Sequence, residues 1–213
     1  MEEILRKLKN AFERMDLLDF IKNNKMLLLM STLLLSSMIF GTISVNKVSL
    51  ESIRSLDFLF ATDFQERIEQ SYLNTFIASM ASSFIFVLLM LFFTLSFSGI
   101  VIIPLILSFK GLGIGFTAGY LYLIYGLKGI AFHILILLPG IFLSSISLIL
   151  ISIYSLKFSL KYLKKLFPKD DNMNLWAELK LYLKQVSYTM ILVCASAVAD
   201  MGFMFLFSRF FVF

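Results

Sequence analysis

Residues 104–120 read PLILSFKGLGIGFTAGY, a stretch that is apolar except for one lysine, Lys110. Directly after that lysine, glycine recurs at every fourth position, as Gly111, Gly115 and Gly119. Residues four apart lie on one face of an α-helix, so the three glycines form a smooth groove that lets another helix backbone approach closely. The groove predicts either a packing seam inside this chain or a docking face for another helix.

The composition around this stretch is that of a membrane protein. Of the 213 residues, 59% are hydrophobic and 15% are charged, whereas soluble domains carry about 25% charged residues. Several apolar runs exceed the roughly 20 residues that cross a bilayer as a helix, and the sequence lacks the short alternating segments of a β-barrel. The sequence therefore predicts an all-α, polytopic integral membrane protein.

The apolar runs predict five transmembrane helices in a single membrane domain, residues 26–213, which follows a charged leader, residues 1–25. The leader has apolar residues at helical spacing and predicts an amphipathic helix, lying either on the membrane or against loops of the protein. The first span follows this long leader and has no small-residue cleavage site, so we expect an uncleaved anchor. The predicted spans cover residues 26–45, 76–97, 100–124, 130–154 and 186–207.

Basic residues give these five spans an orientation. The leader holds six Lys or Arg and the segment 155–184 holds seven, whereas the segments 46–75 and 125–129 hold three and one. Loops rich in Lys and Arg stay on the cytoplasmic side. We therefore expect the N-terminus inside and the C-terminus outside.

The start of the third span has two interpretations. Pro104 fits near the beginning of a helix, where a missing N–H costs little. Alternatively, residues 98–109 form a re-entrant segment that leaves Lys110 close to the membrane surface, because broken membrane segments are often flanked by Gly and Pro. Further on, Pro139 and Gly140 predict a kink in the fourth span.

Three polar side chains fall inside the predicted spans: Lys110, His133 and Asp200. From the helical rise, Lys110 lies about 15 Å and Asp200 about 21 Å from the cytoplasmic face, and His133 lies roughly 5 Å below the outer face. Either Lys110 or His133 is thus within reach of Asp200. A charge in hydrocarbon needs a partner or water, so the pattern indicates either a structural ion pair or a path for protons or ions.

The residue patterns of common catalytic sites are missing from the sequence. His133, the single histidine, is followed by ILIL rather than by the pattern of a zinc protease, and Asp200 is the single aspartate in a predicted span. The glycine run has its lysine ahead of it and not after it, unlike a phosphate-binding loop. A lone histidine and a lone cysteine, Cys194, do not make a zinc site. We expect no enzymatic activity, no metal and no cofactor.

The sequence contains several short motifs in and near the predicted spans: Phe40-Gly41 with Asn46, Gly99 leading to Pro104, Phe109-Lys110-Gly111, Gly115-Phe116 and Leu138-Pro139. These motifs resemble those of the stage II sporulation protein M family of integral membrane proteins, and the likeness in size and span number extends over most of the chain. Some non-sporulation relatives in the wider family carry a histidine and a downstream glutamate after the proline of the fourth span. In this sequence Gly140 and Ile141 follow that proline, so a polar site built on such a histidine and glutamate is missing.

The resemblance implies a non-enzymatic scaffold in the engulfment complex of endospore-forming bacteria, in the septal or engulfing membrane of the mother cell. The implied partners are two peptidoglycan hydrolases, sporulation protein D, a lytic transglycosylase, and sporulation protein P, an amidase and endopeptidase. Membrane lipid is expected around the spans, self-association with a second copy stays open, and nucleic acid is not expected. The alternative is a small transporter or an ion- or proton-conducting permease that uses Lys110 and Asp200.

The segment 46–75 is the one predicted outside loop long enough to present a surface to a partner. It mixes acidic residues with aromatic ones, which suits an interface with aromatic anchors and a polar rim. The aromatic residues equally suit the headgroup region of the bilayer. The candidate partner-binding residues are Phe58, Phe60, Phe64, Glu66 and Glu69.

Overall fold

The computed structural model describes residues 24–45, 72–166, 175–207 and 210. Within these ranges the chain is helical and has no strand, which confirms the all-α class. Most of the leader and most of the loop 46–75, with its candidate partner-binding residues, lie outside the described residues. The helices are α1 (Lys25–Ser44), α2 (Tyr72–Thr94), α3 (Gly99–Phe132), α4 (Leu138–Leu166) and α5 (Leu175–Phe207), with a π-helical turn, His133–Leu137, between α3 and α4.

Four of the described helical runs are long and apolar enough to cross a bilayer. They are Lys25–Ser44, Leu73–Thr94, Gly99–Lys164 and Leu175–Phe207. The third run has 66 residues, or about 100 Å if it were straight, roughly three times the thickness of the hydrocarbon core. It is not straight, because the chain reverses within it.

The reversal takes place at Gly126, which has φ 53° and ψ −131°. Glycine adopts this backbone conformation readily because it has no Cβ. Near the bend, Gly129 packs against the backbone of Leu121; at the far end, Ser159 Oγ donates a hydrogen bond of 3.1 Å to the Ser96 carbonyl. The two arms of the run, residues 99–125 before Gly126 and residues 127–164 after it, are therefore antiparallel. The sequence predicts a turn over residues 125–129, whereas the structure keeps helix on both sides of one glycine.

The link between α2 and α3 is a tight hairpin over residues 95–98. It is closed by backbone hydrogen bonds from Ser96 N to the Phe93 carbonyl (3.1 Å) and from Gly99 N to the Ser96 carbonyl (3.0 Å). The helix then continues without a break through Pro104 and Lys110. A re-entrant segment would need an interruption there, so the backbone matches the other interpretation, a continuous helix.

The irregularity predicted at Pro139 and Gly140 is a π-helical turn that ends at Leu137, two residues before the proline. A proline inside a helix removes one hydrogen bond and crowds the carbonyl four residues earlier, here that of Leu135. The wider π turn at His133–Leu137 accommodates that disturbance. The helices also extend beyond the predicted spans: α4 reaches Leu166 and α5 begins at Leu175, so much of the basic segment 155–184 is helical.

The apolar core has two clusters, and polar residues lie between them. All five helices contribute to the first, which includes Leu107 on α3 and Val193 on α5. The second, smaller cluster includes Leu121 on α3 and Met204 on α5. Lys110 and Asp200 lie between these clusters along their helices, so both charges are enclosed by apolar packing on either side.

Candidate functional site: a buried polar cavity between four helices

The two charges that the sequence places inside spans line one cavity, of about 50 Å³. Most of the other polar groups come from α2, where Ser79, Ser82 and Ser83 share a face because they are three and four residues apart. The cavity is completed by Thr117 and Ile114 on α3, by Leu137 of the π turn, and by Ile141 and Ser144 on α4. A water molecule needs roughly 10–15 Å³ measured this way, so the space has room for a few waters.

Lys110 is buried, with 6% of its surface exposed. Its Nζ donates a hydrogen bond of 2.8 Å to Ser82 Oγ and lies 4.9 Å from the ring centroid of Phe86. A lysine ammonium at that distance is attracted to the face of an aromatic ring. Helix α2 thus supplies both a hydroxyl and an aromatic ring to the charge on α3.

Asp200 is also buried, with 9% of its surface exposed. Its Oδ2 accepts a short hydrogen bond from Ser79 Oγ on α2. The carboxylate also packs against Gly140, where the Cβ of any larger residue would overlap it. Gly140 is therefore part of the site, because its missing side chain leaves the space that the carboxylate fills.

His133 is buried as well, but it does not line this cavity. Its ring makes an edge-to-face contact with Tyr122, with ring centroids 5.6 Å apart. Its Nδ1 makes no hydrogen bond to any residue that the structure describes. From the sequence, Lys110 and His133 are both candidate partners of Asp200; the structure places Lys110, and not His133, at the same cavity.

The groove formed by Gly111, Gly115 and Gly119 is filled by α1 of the same chain. A Cβ at Gly115 would overlap the Met38 carbonyl, and one at Gly119 would stand 2.8 Å from the Thr42 carbonyl. Thr42 Oγ1 also lies 3.1 Å from the Gly115 carbonyl, within hydrogen-bonding distance. The structure therefore matches the first interpretation of the groove, a packing seam inside this chain.

Helix α1 carries a glycine of its own at this seam. A Cβ at Gly41 would stand 2.5 Å from the Leu112 carbonyl and 3.2 Å from the Gly115 Cα. Near Gly111, Ser37 and the backbone of Leu34 occupy the space that a side chain would need. The backbones of α1 and α3 therefore approach each other closely from Leu34 to Thr42, which holds the first predicted span against the helix that carries Lys110.

A second buried polar group, around Tyr182, was not foreseen from the sequence. The Tyr182 hydroxyl lies 3.0 Å from Thr94 Oγ1 on α2 and 2.9 Å from Ser155 Oγ on α4. Its ring stacks on Phe158 with centroids 5.2 Å apart. The spacing of residues around Tyr182 does not predict this polar group, because its hydroxyl contacts hydroxyl groups from two helices that are remote in sequence.

In the ranges that the structure describes, no three His, Cys, Asp or Glu side chains come together as a metal site. Comparison with protein-family models, with curated proteins and with solved structures finds no match to this chain. The resemblance to the sporulation family therefore rests on the motifs quoted from the sequence.

Proposed function

We propose that this chain is a non-enzymatic membrane scaffold, a helical bundle that holds partners outside a bacterial cell membrane. The observation that carries the proposal is that Lys110 and Asp200 are each hydrogen-bonded to α2 inside a cavity of about 50 Å³. Sites for small organic molecules usually offer roughly 300–1,000 Å³. Charges held in this way tie helices together, as a rigid platform requires.

In the proposed arrangement the chain crosses the membrane five times, with the N-terminus inside and the C-terminus outside. The reversal at Gly126 supports this count, because each antiparallel arm of the run Gly99–Lys164 exceeds the roughly 20 residues needed to span a bilayer. The basic leader and the basic segment 155–184 support the orientation, since both then lie on the cytoplasmic side.

The proposed partners come from the family resemblance. They are the two peptidoglycan hydrolases, sporulation proteins D and P, held at the septal or engulfing membrane. Because α1 fills the glycine groove, we place the docking surface elsewhere, on the outside loop 46–75. Its aromatic residues are the proposed anchors, and Glu66 and Glu69 are proposed as part of a charged rim, where charges tune association more than folding.

Co-purification from detergent with the two hydrolases tests this proposal. The full chain should bring down at least one of them. The double substitution Glu66→Lys, Glu69→Lys should weaken capture while leaving membrane insertion intact. A matched control, Asp170→Lys with Asp171→Lys, makes the same charge change in the predicted cytoplasmic loop and should leave capture unchanged.

A second candidate function, conduction of protons or small ions, is favoured by one observation. Lys110 and Asp200, of opposite charge, line a space with room for a few waters, and buried membrane charges often mark such paths. Liposomes that contain the protein should then pass ions that empty liposomes retain, and Lys110→Met should stop the flux. If the wild-type chain captures neither hydrolase and such flux is measured, the conduction function replaces the scaffold.

A further inference from the structure

A separate groove of about 240 Å³ lies between α4 and α5, at the end of the bundle where Ser159 meets the hairpin between α2 and α3. Three lysines of α4 line it: Lys157, Lys161 and Lys164. Their spacing of four and three residues places them on one face of the helix. The groove is distinct from the cavity of Lys110 and Asp200, because the two share none of the lining residues that the structure describes.

The lysines are held in different ways. Lys161 Nζ donates a hydrogen bond of 2.7 Å to Glu178 Oε2 across the two helices, which fixes one side of the groove. Lys157 and Lys164 flank this pair and are exposed. Among the residues that the structure describes, Glu178 is the one acidic residue in the lining, so the described lining carries a net positive charge. Gln185 on α5 adds an uncharged amide hydrogen-bond donor.

The groove lies where the apolar part of each helix meets the charged part. On α4 the residues from Ile146 to Leu156 are apolar, serine or tyrosine, and the lysines follow. On α5, Leu181 lines the groove, and Tyr188 lies two turns along the same face; both are exposed. Trp176, 69% exposed in the first turns of α5, suits the membrane interface. The lysines are therefore at headgroup level, and an apolar strip extends from them toward the acyl chains.

We propose that this groove binds the phosphate of an anionic membrane lipid, with Lys157 and Lys164 as the principal contacts and with an acyl chain lying along Leu181 and Tyr188. Lysine is a common phosphate ligand that acts as a point charge, and basic pockets between membrane helices bind anionic headgroups. The apolar strip selects a lipid over a free phosphate ion, which would gain nothing from it. This proposal is independent of the scaffold function and of the orientation of the chain.

The test measures thermal unfolding of the full chain in detergent at low salt with added phosphatidylglycerol, phosphatidylcholine or inorganic phosphate. The groove variant, Lys157→Gln with Lys164→Gln, keeps the Lys161–Glu178 pair. The matched control, Lys180→Gln with Lys184→Gln, removes the same charge from the same end of the bundle, on residues that do not line the groove. Phosphatidylglycerol should stabilise the wild type and the control alike.

For the groove variant, the phosphatidylglycerol concentration needed for half of the stabilisation should rise about 30-fold. Each lysine near a membrane surface contributes a factor of roughly five, and the factors for the two lysines multiply. If the groove variant fails to fold, Lys164→Gln alone should still give a shift of about fivefold. Equal weakening in the control would overturn the proposal in favour of diffuse charge attraction. Equal stabilisation by phosphatidylcholine or by inorganic phosphate would also overturn it, the latter in favour of a free anion.

Discussion

The carboxylate of Asp200 occupies the space where the Cβ of residue 140 would stand if that residue were not Gly140. The two residues are on different helices, and Ser79 from a third helix donates a hydrogen bond to the same carboxylate. The buried carboxylate is accommodated because one neighbouring helix has a glycine at the contact and another supplies a hydroxyl group that donates a hydrogen bond.

Gly140→Ala should therefore destabilise the protein. Overpacking of a buried site typically costs about 1–3 kcal/mol, and the carboxylate of Asp200 would have to leave its place beside Ser79. Thermal unfolding in detergent measures the loss. In an Asp200→Ala background the same change should cost little, because the group it collides with is gone. Gly202→Ala is the matched control, since its Cβ would meet no described atom within 4 Å apart from its chain neighbours and the nearby backbone of its own helix.

Gly115→Ala should disrupt the seam between α1 and α3. The new methyl group would overlap the Met38 carbonyl, a backbone atom that cannot rotate away. We expect a loss of about 1–3 kcal/mol in unfolding free energy and a larger loss for Gly115→Leu. Wild-type stability in Gly115→Leu would mean that α1 does not occupy the groove. Gly202→Ala again serves as the reference.

Asp200→Leu should strand the lysine that shares its cavity. Removing one member of a buried charge pair costs about 3–5 kcal/mol. Adding Lys110→Met should restore part of the loss, because removing both charges is milder than leaving one. His133→Phe in place of Lys110→Met should restore nothing, since His133 does not line the cavity. A double mutant with Lys110→Met that is no more stable than Asp200→Leu alone would exclude Lys110 as the partner.

Tyr182→Phe should lower stability by about 1–3 kcal/mol, the cost of leaving buried polar groups unsatisfied. The phenol group lies within hydrogen-bonding distance of Thr94 and Ser155, so its removal affects three helices at once. Tyr188→Phe on the same helix is the control, because Tyr188 is 59% exposed and so is not part of a buried polar group. Equal unfolding temperatures for the two variants would contradict the role given to Tyr182.

The topology is tested by labelling single introduced cysteines with a reagent that does not cross the membrane. Cys194, the one native cysteine, is first replaced by alanine. Cysteines at residues 60 and 213 should react from outside intact cells, and a cysteine at residue 165 should react only after the membrane is opened. A C-terminus that reacts only from inside would rule out five spans and favour an even number.

The sequence alone determined the class of the molecule. Runs of apolar residues and their lengths are properties of single segments. The all-helical class therefore follows from local composition, and so do the four described runs that are long and apolar enough to span a bilayer. The same holds for the glycine groove, whose existence depends only on a spacing of four residues. The presence of Lys110, His133 and Asp200 in apolar surroundings was equally visible, whereas the five-span topology stays a prediction.

Only the tertiary structure decided which groups meet. Ser79 and Asp200 are 121 residues apart, and their contact depends on how α2 and α5 are rotated and placed side by side. The sequence around Gly140 does not indicate that its missing side chain leaves space for a carboxylate. The sequence of the glycine groove likewise does not indicate that α1 fills it. In a bilayer the hydrophobic effect does not select helix partners, so close packing and polar contacts make that choice, and these depend on the whole bundle.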